Sequence, residues 1–349
     1  MAMTPRELTY AALRFEYPQR LPRDLWTLPW SEVHQADALA LIREKYPEDL
    51  CRAPEPYGLA RYCQGDPYAV GCFRDEWGCE FENIQAGAVG EVKHPPLADE
   101  QACRDFRPPY HVLDNMPSDA RDVVNRFCAE TDRFVMSPGF VRPWERYQFL
   151  RGSEQAMMDL ADPSDLTMGV LRSVHDYFVR ELTFWADTDV DAMMFLDDWG
   201  SQDRLLISPK LWREVFKPMY AEYAQIAHQS GKYLFMHSDG HILAILPDLI
   251  EVGVDAINSQ LFCMDLAEVA KVAKGRVTFW GEIDRQHVLP NPDPQAGRDA
   301  VRHVAKHLYD PSGGIIAQIA FELSVHPPTA MAVYDEWERV SHRHDAQAS

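Results

Sequence analysis

Two potential metal ligands, His237 and Asp239, lie two residues apart and directly before a glycine. Both side chains can face one centre if the chain turns at Gly240, because glycine adopts backbone conformations that other residues avoid. Glu282 follows a later apolar segment in a similar way. One imidazole nitrogen and two carboxylate oxygens form a ligand set that suits zinc or another divalent ion. The alternative is that His237 hydrogen-bonds a neighbouring carboxylate and no metal binds.

Two adjacent carboxylates, Asp197 and Asp198, follow another apolar segment. Successive side chains of an extended segment point to opposite sides, so only one of the two enters a site easily. We expect Asp198, which lies further past the segment, to be the inward one and to act as general acid or base or to orient His237. With His237 and Glu282 it forms the predicted catalytic set. The alternative is that both aspartates accept backbone N–H groups and cap the loop.

Polar and aromatic side chains near the ends of other apolar segments could line a pocket for a flat ligand. The predicted substrate-binding residues are Trp26, Trp199, Gln202, Asn258, Trp280 and Gln318. Large aromatic side chains are also ordinary core material, so each tryptophan has that alternative role.

These side chains need a scaffold that brings distant segment ends together. Eight short apolar segments, nearly all separated by helical patterns, lie at about 25–28, 49–53, 133–137, 192–196, 233–236, 254–257, 277–280 and 314–317. Buried strands that alternate with helices are typical of a parallel sheet. Eight units favour an α/β fold of the (β/α)₈ barrel type, in which functional residues lie at the carboxyl ends of the strands. A doubly wound open sheet is the alternative, but no early strand is followed by a glycine-rich phosphate loop.

Residues 65–95 interrupt this alternation near the N-terminal part of the chain. Glycine, aromatic and β-branched residues alternate around Trp77, which predicts a β-hairpin insertion. The insertion is too short to bury a core of its own. We therefore expect residues 1–349 to form one barrel domain, with the hairpin distant from the candidate site.

Charge and composition exclude several kinds of partner. The net charge of −20 argues against nucleic acid, because phosphate binding needs a basic surface. No stretch approaches 18 apolar residues, so we expect no membrane span. The N-terminal segment lacks the apolar core of a signal peptide, which makes the cytoplasm the expected location. The seven cysteines cannot all pair, because their number is odd, and no two of them have CxxC spacing. Both observations favour reduced thiols.

Several segments resemble those of the uroporphyrinogen decarboxylase superfamily, and most closely its corrinoid-dependent, O-demethylase-like methyltransferases. The segments that carry the resemblance are Arg20–Trp26, the hairpin around Trp77, Asp197–Gln202, Ile207–Trp212, His237–Gly240 and Gly313–Gln318. They span nearly the whole chain in order. The resemblance implies a (β/α)₈ barrel, in agreement with the strand count.

Two departures from the superfamily's patterns narrow the expected function. Tetrapyrrole decarboxylases carry an Arg-Gln-Ala-Gly-Arg segment that holds substrate carboxylates, whereas residues 27–31 here read Thr-Leu-Pro-Trp-Ser. Thiol-activating methyltransferases hold zinc with a His-x-Cys pair and a later cysteine, whereas this chain has Asp239 and Ile319 there. Relatives that demethylate methoxylated aromatics or other methyl donors are more similar, because they share the His-Ser-Asp-Gly segment.

The resemblance implies a methyltransferase that moves a methyl group from a small methoxylated or N-methylated donor to cob(I)alamin. A separate corrinoid-binding protein would supply the corrinoid, and Zn²⁺ is the expected metal. The alternative is a carboxy-lyase acting on a carboxylated substrate, for which Arg52 and Arg142 would supply anion clamps. A homodimer is compatible with these expectations.

Overall fold

Short strands and helices alternate along the chain in a computed structural model that describes residues 2–348, with side chains for residues 2–341. The strands are β1 Arg23–Thr27, β2 Leu50–Arg52, β3 Gly71–Arg74, β4 Glu80–Asn83, β5 Glu91–His94, β6 Phe134–Met136, β7 Ala192–Leu196, β8 Tyr233–Ser238, β9 Ala256–Ser259, β10 Thr278–Trp280 and β11 Ile315–Phe321. Eight of them form a sheet in the order β1-β11-β10-β9-β8-β7-β6-β2. All neighbouring pairs in this sheet are parallel, as the alternation with helices predicts.

Helices connect the strands and cover the outside of the sheet. They are α1 Pro5–Arg14, α2 Pro29–His34, α3 Ala36–Lys45, α4 Glu100–Asp105, α5 Tyr110–Asp114, α6 Ala120–Glu130, α7 Pro143–Arg151, α8 Ser153–Ala161, α9 Asp165–Ala186, α10 Pro209–Gln229, α11 Leu246–Val252, α12 Leu266–Ala273, α13 Pro294–Leu308 and α14 Pro327–Ala348. Helix α1 begins with a capping box between Thr4 and Glu7. Helix α10 begins with a Ser208 cap followed by proline, so both starts are encoded locally.

The two ends of the sheet meet through Asp49, and this contact completes the predicted (β/α)₈ barrel. The Asp49 N–H donates to the carbonyl oxygen of Arg23 at 2.9 Å, and its carboxylate accepts from the Arg23 N–H at 2.8 Å. The same carboxylate binds both terminal nitrogens of Arg20 at 2.6 Å. Asp49, the buried residue directly before β2, therefore joins this end of the sheet to β1.

The barrel interior is packed with side chains rather than open. In β7, Ala192 and Met194 belong to the interior cluster, whereas Met193 and Phe195 pack in the layer between sheet and helices. This alternation is the two-residue period of a strand. In β8, Phe235 belongs to the same interior cluster. Two residues further on, the His237 side chain therefore also points inward, at the carboxyl end of the barrel.

The predicted insertion is present and is larger than a hairpin. Strands β3, β4 and β5 form a three-stranded antiparallel sheet between β2 and β6. It is anchored by Trp77, whose ring centroid lies 4.6 Å from that of Tyr177 and 5.7 Å from that of Phe178. Both partners lie on α9, so the insertion buries its aromatic side chains against the barrel's helices.

Some predicted element boundaries are wrong. Helices α7 and α8 are separated at Gly152, whose φ of 80° is incompatible with a right-handed helix. Strands β8 and β11 run to Ser238 and Phe321, beyond the apolar segments that predicted them. Polar side chains that face the barrel interior interrupt the apolar pattern, although the backbone pairing continues.

All seven cysteines are free, as predicted. Within residues 2–348, no helix has the length and apolar character needed to cross a membrane.

Replacing Asp49 with alanine should destabilise the barrel, because the change leaves the buried Arg23 N–H and the Arg20 guanidinium without their acceptor. We expect a loss of about 3 kcal/mol in the free energy of unfolding, measured by urea denaturation. Asp37→Ala, on the exposed face of α3, is the matched control and should change stability by no more than about 0.5 kcal/mol. Equal midpoints for the two variants would show that Asp49 does not hold the β1–β2 junction.

Candidate active site

The loops that follow β7 and β8 are in direct backbone contact at two glycines. The Gly200 N–H donates to the carbonyl oxygen of Asp239 at 3.1 Å. A Cβ atom on Gly240 would lie 2.1 Å from the Gly200 carbonyl oxygen, which is closer than any real contact. Gly240 also has a φ of +78°, where other residues are strained. The glycines that end the Asp-Asp-Trp-Gly and His-Ser-Asp-Gly segments thus allow the two loops to meet.

This contact brings three potential ligands together. The His237 Nε2 atom lies 3.6 Å from an Asp198 oxygen and 3.5 Å from an Asp239 oxygen. One ligand atom from each of the three residues lies within 4.8 Å of the other two. The Asp198 carboxylate also accepts the backbone N–H of Asp239 at 2.8 Å, which ties the two loops across the imidazole.

Asn258, on β9, determines which nitrogen of His237 carries the proton. The Asn258 Oδ1 atom lies 2.6 Å from His237 Nδ1. Its amide nitrogen donates to the carbonyl oxygen of Trp280 and, at 3.1 Å, to Gln318 Oε1. Because a carbonyl oxygen can only accept, this amide orientation leaves Oδ1 to accept from His237 Nδ1–H. The lone pair of neutral His237 is therefore on Nε2, facing the two aspartates.

Asp239 is held in the orientation that a metal ligand requires. Arg285 binds its Oδ2 atom, while the buried Oδ1 atom, which faces His237, has no hydrogen-bond donor among the described residues. Burial raises the pKa of Asp239. The buried Asp239 oxygen, the His237 lone pair and the Asp198 carboxylate together form a set that could hold a divalent cation. An imidazole held by a second residue and a carboxylate held by an arginine are typical of metal-ligand surroundings.

The structure groups the predicted site residues differently from the sequence. Glu282 lies outside the group of three, and its Oε1 atom is 3.4 Å from the Arg285 Nε atom. Burial raises the pKa of Glu282 to about 7, so its carboxyl group can both give and take a proton near neutral pH. The prediction of His237 and Asp239 at one centre agrees with the structure, but Asp198 takes the position predicted for Glu282.

The two adjacent aspartates have different surroundings. Asp197 is fully buried and accepts the backbone N–H groups of Trp144 and Glu145 at 3.1 and 2.9 Å, where α7 begins. It also accepts the Tyr220 hydroxyl at 2.6 Å. Asp198, in contrast, faces His237. Both aspartates therefore accept backbone N–H groups, as the loop-capping alternative predicts, but Asp198 also faces His237 and takes the inward position.

The predicted ligand-contacting residues separate into three groups. Trp26 lies at the site, with its ring centroid 5.3 Å from that of His237. Asn258, Trp280 and Gln318 are buried beneath the histidine and support it rather than face an open space.

Trp199 lies elsewhere, so its prediction as a pocket residue needs correction, whereas Gln202 lines a small cavity together with Glu282 and Arg285. Trp199 is buried in the core, stacked on Trp144 at 5.2 Å, with its indole N–H bound to the Tyr220 hydroxyl. Gln202 is exposed on the loop surface and accepts from the Cys263 thiol at 3.2 Å. An aromatic side chain that follows a strand can pack in the core or line a pocket. Trp199 packs in the core, because it is buried between Trp144 of α7 and Tyr220 of α10.

The prominent cavity of about 500 Å³ lies under the insertion. Phe73, Trp77 and Phe81 of the insertion form one wall. Phe140 and Arg142, which follow β6, form part of the opposite wall at the carboxyl end of the barrel. The prediction that the insertion is distant from the candidate site is therefore wrong. The insertion follows the carboxyl end of β2, and its Gly87 carbonyl oxygen accepts the N–H of Trp30, which follows β1, at 3.3 Å, so the insertion lies at this end of the barrel.

Glu145 connects the cavity to the His237 cluster. The Arg142 guanidinium lies 3.6 Å from a Glu145 carboxylate oxygen. Burial raises the pKa of Glu145, and the charges of Arg142, Asp198 and His237 also act on it. Sequence analysis missed Glu145 as a site residue. The signal is weak, because Glu145 lies in the first turn of a helix, where acidic residues are common.

Asn258→Ala should release His237 from its single tautomer, because Nδ1–H loses its acceptor. In the wild-type protein we expect ¹⁵N-histidine spectra at pH 8 to show protonated Nδ1 and unprotonated Nε2 for His237. In Asn258→Ala the two forms should be mixed. Asn115→Ala, on the surface after α5, is the control and should leave the His237 signals unchanged. Identical His237 spectra in all three proteins would contradict the assigned orientation.

Comparison with solved structures agrees with the barrel fold. A methyltransferase from Methanosarcina mazei matches with a TM-score of 0.69 and 16% sequence identity, over 97% of this chain and 99% of that one. An endo-β-1,4-xylanase from Gloeophyllum trabeum matches with a TM-score of 0.47 and 10% identity, over 97% and 99% of the two chains. At 16% identity the likeness to the methyltransferase concerns the fold alone. No curated protein sequence matches the chain.

The sequence itself matches a family model. Residues 73–334 match the model described as uroporphyrinogen decarboxylase (URO-D). The match begins inside the insertion and continues into α14, so it includes the loops of Asp198, His237 and Glu282. The matched segment is well over half of the chain, which therefore belongs to the uroporphyrinogen decarboxylase family.

Proposed function

We propose that this protein is a corrinoid-dependent methyltransferase that removes a methyl group from a small methoxylated or N-methylated donor. The observation that carries the proposal is the cluster of Asp198, His237 and Asp239, in which the histidine lone pair faces two carboxylate oxygens. The neighbouring cavity has aromatic walls and the volume of a small-molecule site. The similarity in fold to a methyltransferase is consistent with this proposal.

The residues of the cluster suit the chemistry of a departing methyl donor. A reduced corrinoid, carried by a partner protein, would accept the methyl group. Asp198, His237 and Asp239 would hold a divalent ion, probed as Zn²⁺, which would supply a Lewis acid for the oxygen of a methoxylated donor, whereas a methylated ammonium nitrogen leaves as a neutral amine and does not require one. When the bond between the donor atom and the methyl carbon breaks, the electron pair stays on the leaving atom. Glu282, with a pKa of about 7, is suited to supply a proton to it.

A carboxy-lyase is the second candidate, and Arg52 is the observation that favours it. Its guanidinium lies over the rings of Trp26 and Trp280, at 5.6 and 5.3 Å from their centroids. Its only hydrogen bond among the described side chains is to the sulfur of Met136, at 3.5 Å. An arginine beside the His237 cluster without a carboxylate in hydrogen-bond contact could bind a substrate carboxylate.

Zinc titration tests which residues hold the metal. Chelator-treated wild-type protein should bind about one Zn²⁺ per chain in a calorimetric titration. Asp198→Asn should weaken binding by at least about tenfold, because it removes an oxygen ligand. Glu282→Gln is the matched comparison and should bind zinc like the wild type. Loss of binding in Glu282→Gln alone would restore the ligand set predicted from the sequence. An absence of zinc binding by the wild-type protein would leave the cluster as an acid–base site.

Methyl transfer tests the reaction itself. His237→Ala should lower the rate by about 100-fold or more, because His237 would hold the metal or move the proton. The assay follows the visible absorption of cobalamin over a panel of aryl methyl ethers and methylated amines. His94→Ala, which removes an exposed histidine of β5, should retain the wild-type rate.

The same assay separates the two candidate functions. Unchanged cobalamin spectra across the whole panel, together with carbon dioxide release from a carboxylated substrate, would support the carboxy-lyase instead. Equal losses of methyl transfer in His94→Ala and His237→Ala would show that the active site is misplaced.

A further inference from the structure

We propose that the cavity under the insertion binds the N-methylated ammonium group of an organic cation, with Glu181 as its counter-ion. This inference rests on the proposed function and narrows it, because it selects the N-methylated donors over the methoxylated ones. Three features of the cavity support it. Glu181 has no cationic partner among the described residues, the arginines of the cavity are paired with carboxylates, and the walls are aromatic.

Glu181 is a carboxyl group without a cation. It lies on α9 with only 3% of its surface exposed, and it lines the cavity. Its single hydrogen bond among the described residues comes from the Tyr57 hydroxyl at 3.1 Å. That hydroxyl is in turn held by the indole N–H of Trp185 at 2.7 Å. No arginine, lysine or histidine nitrogen in this described region lies within ion-pair distance of Glu181.

The other charged groups of the cavity already have partners. Arg146 pairs with Asp75 and lies 3.7 Å from Glu76. Arg142 lies 3.6 Å from Glu145. The lining residues therefore offer one unmatched acidic group and no unmatched basic one. A cationic ligand can pair with Glu181 once this carboxyl ionises, whereas an anionic ligand must compete with carboxylates for each arginine.

The walls of the cavity are suited to a methylated ammonium group. Tyr57 packs edge-on against Phe140 at 6.3 Å between ring centroids, and Tyr177 packs edge-on against Trp77 at 4.6 Å. All four rings line the cavity together with Glu181. Aromatic faces attract quaternary and methylated ammonium groups, which cannot be satisfied by hydrogen bonds alone. An aromatic enclosure with one carboxyl group is therefore better matched to such a cation than to a neutral ether.

The pKa of Glu181 makes this assignment testable. Burial raises its pKa to about 8, so the free protein carries the carboxyl in its neutral form at pH 7. The charged and titratable groups around it are Tyr57, Glu76, Arg142, Arg146 and Tyr177. A bound cation favours the ionised carboxylate, so binding at pH 7 should release a proton. Affinity should rise as the pH increases towards 8 and level off above it.

Calorimetry with choline and its uncharged isostere, 3,3-dimethyl-1-butanol, tests the charge requirement. We expect the wild-type protein to bind choline at least about tenfold more tightly than the alcohol. Titrations at pH 7 in two buffers of different ionisation enthalpy should show proton release with choline and none with the alcohol. Equal affinities for the two probes, or choline binding without proton release, would overturn the assignment.

Glu181→Gln keeps the size of the side chain and removes its charge. It should weaken choline binding by at least about tenfold and leave the binding of the alcohol unchanged. Asp176→Asn removes the same charge from an exposed position on the same helix and should bind choline like the wild type. Wild-type affinity for choline in Glu181→Gln would contradict the proposal. If Glu181→Gln fails to fold, the proton-release measurement on the wild-type protein decides.

The binding and transfer measurements also distinguish the two proposals. Choline binding that depends on Glu181, without methyl transfer from any donor, would refute the methyltransferase and leave the cation site. Methyl transfer from aryl methyl ethers, without choline binding, would refute the cation site and leave the methyltransferase.

Discussion

The contact between Gly200 and Gly240 is the constraint on which the candidate site depends. The two backbones approach so closely that neither residue has space for a Cβ atom. This approach places Asp198 and Asp239 on the same side of the His237 ring, although they follow different strands. A larger residue at either position would separate the loops, and the three ligand atoms would no longer share one centre. The two glycines therefore serve the geometry of the site as well as that of the turns.

Beneath this contact, the polar interior of the barrel gives His237 a defined orientation. Asn258 links the imidazole to β10 through the Trp280 carbonyl and to β11 through Gln318. Burying polar side chains is costly unless they are hydrogen-bonded, so such a network is retained where it orients a functional group. The Gln318 amide nitrogen has no acceptor and is the unsatisfied end of this network. The strand ends thus carry polar instead of apolar interior side chains, and these direct the lone pair of His237 towards the mouth of the barrel.

The insertion adds a second compartment to the barrel. Its aromatic side chains and the residues after β2 and β6 enclose the cavity, while Arg142 and Glu145 lie between this space and the His237 cluster. Under the two proposals, the insertion and α9 would hold the methylated ammonium group of a ligand, and the His237 cluster would lie next to it at the barrel mouth. In a barrel fold, loops at the strand ends can change the ligand without disturbing the strands that carry the chemistry.

The sequence by itself determined the strands, the helix starts and the residue types of the site. Caps such as Thr4 and Ser208 act on backbone groups within one turn, and apolar strands are encoded by their own side chains, so both can be predicted locally. The pair His237 and Asp239 was also evident from spacing. Only the tertiary structure decided that Asp198 rather than Glu282 completes the cluster, because that choice depends on a contact between loops 40 residues apart along the chain.

Glu181 is a second residue whose role the sequence alone does not determine. On its helix it continues the buried face of Tyr177 and Phe178, so the sequence contains a charged residue on an otherwise apolar stripe. Whether such a residue is paired or faces a cavity depends on the insertion that packs against the helix. Local periodicity determines which face of a helix is buried. Long-range packing decides what that face meets, because only the folded chain determines whether a partner lies beside a buried charge.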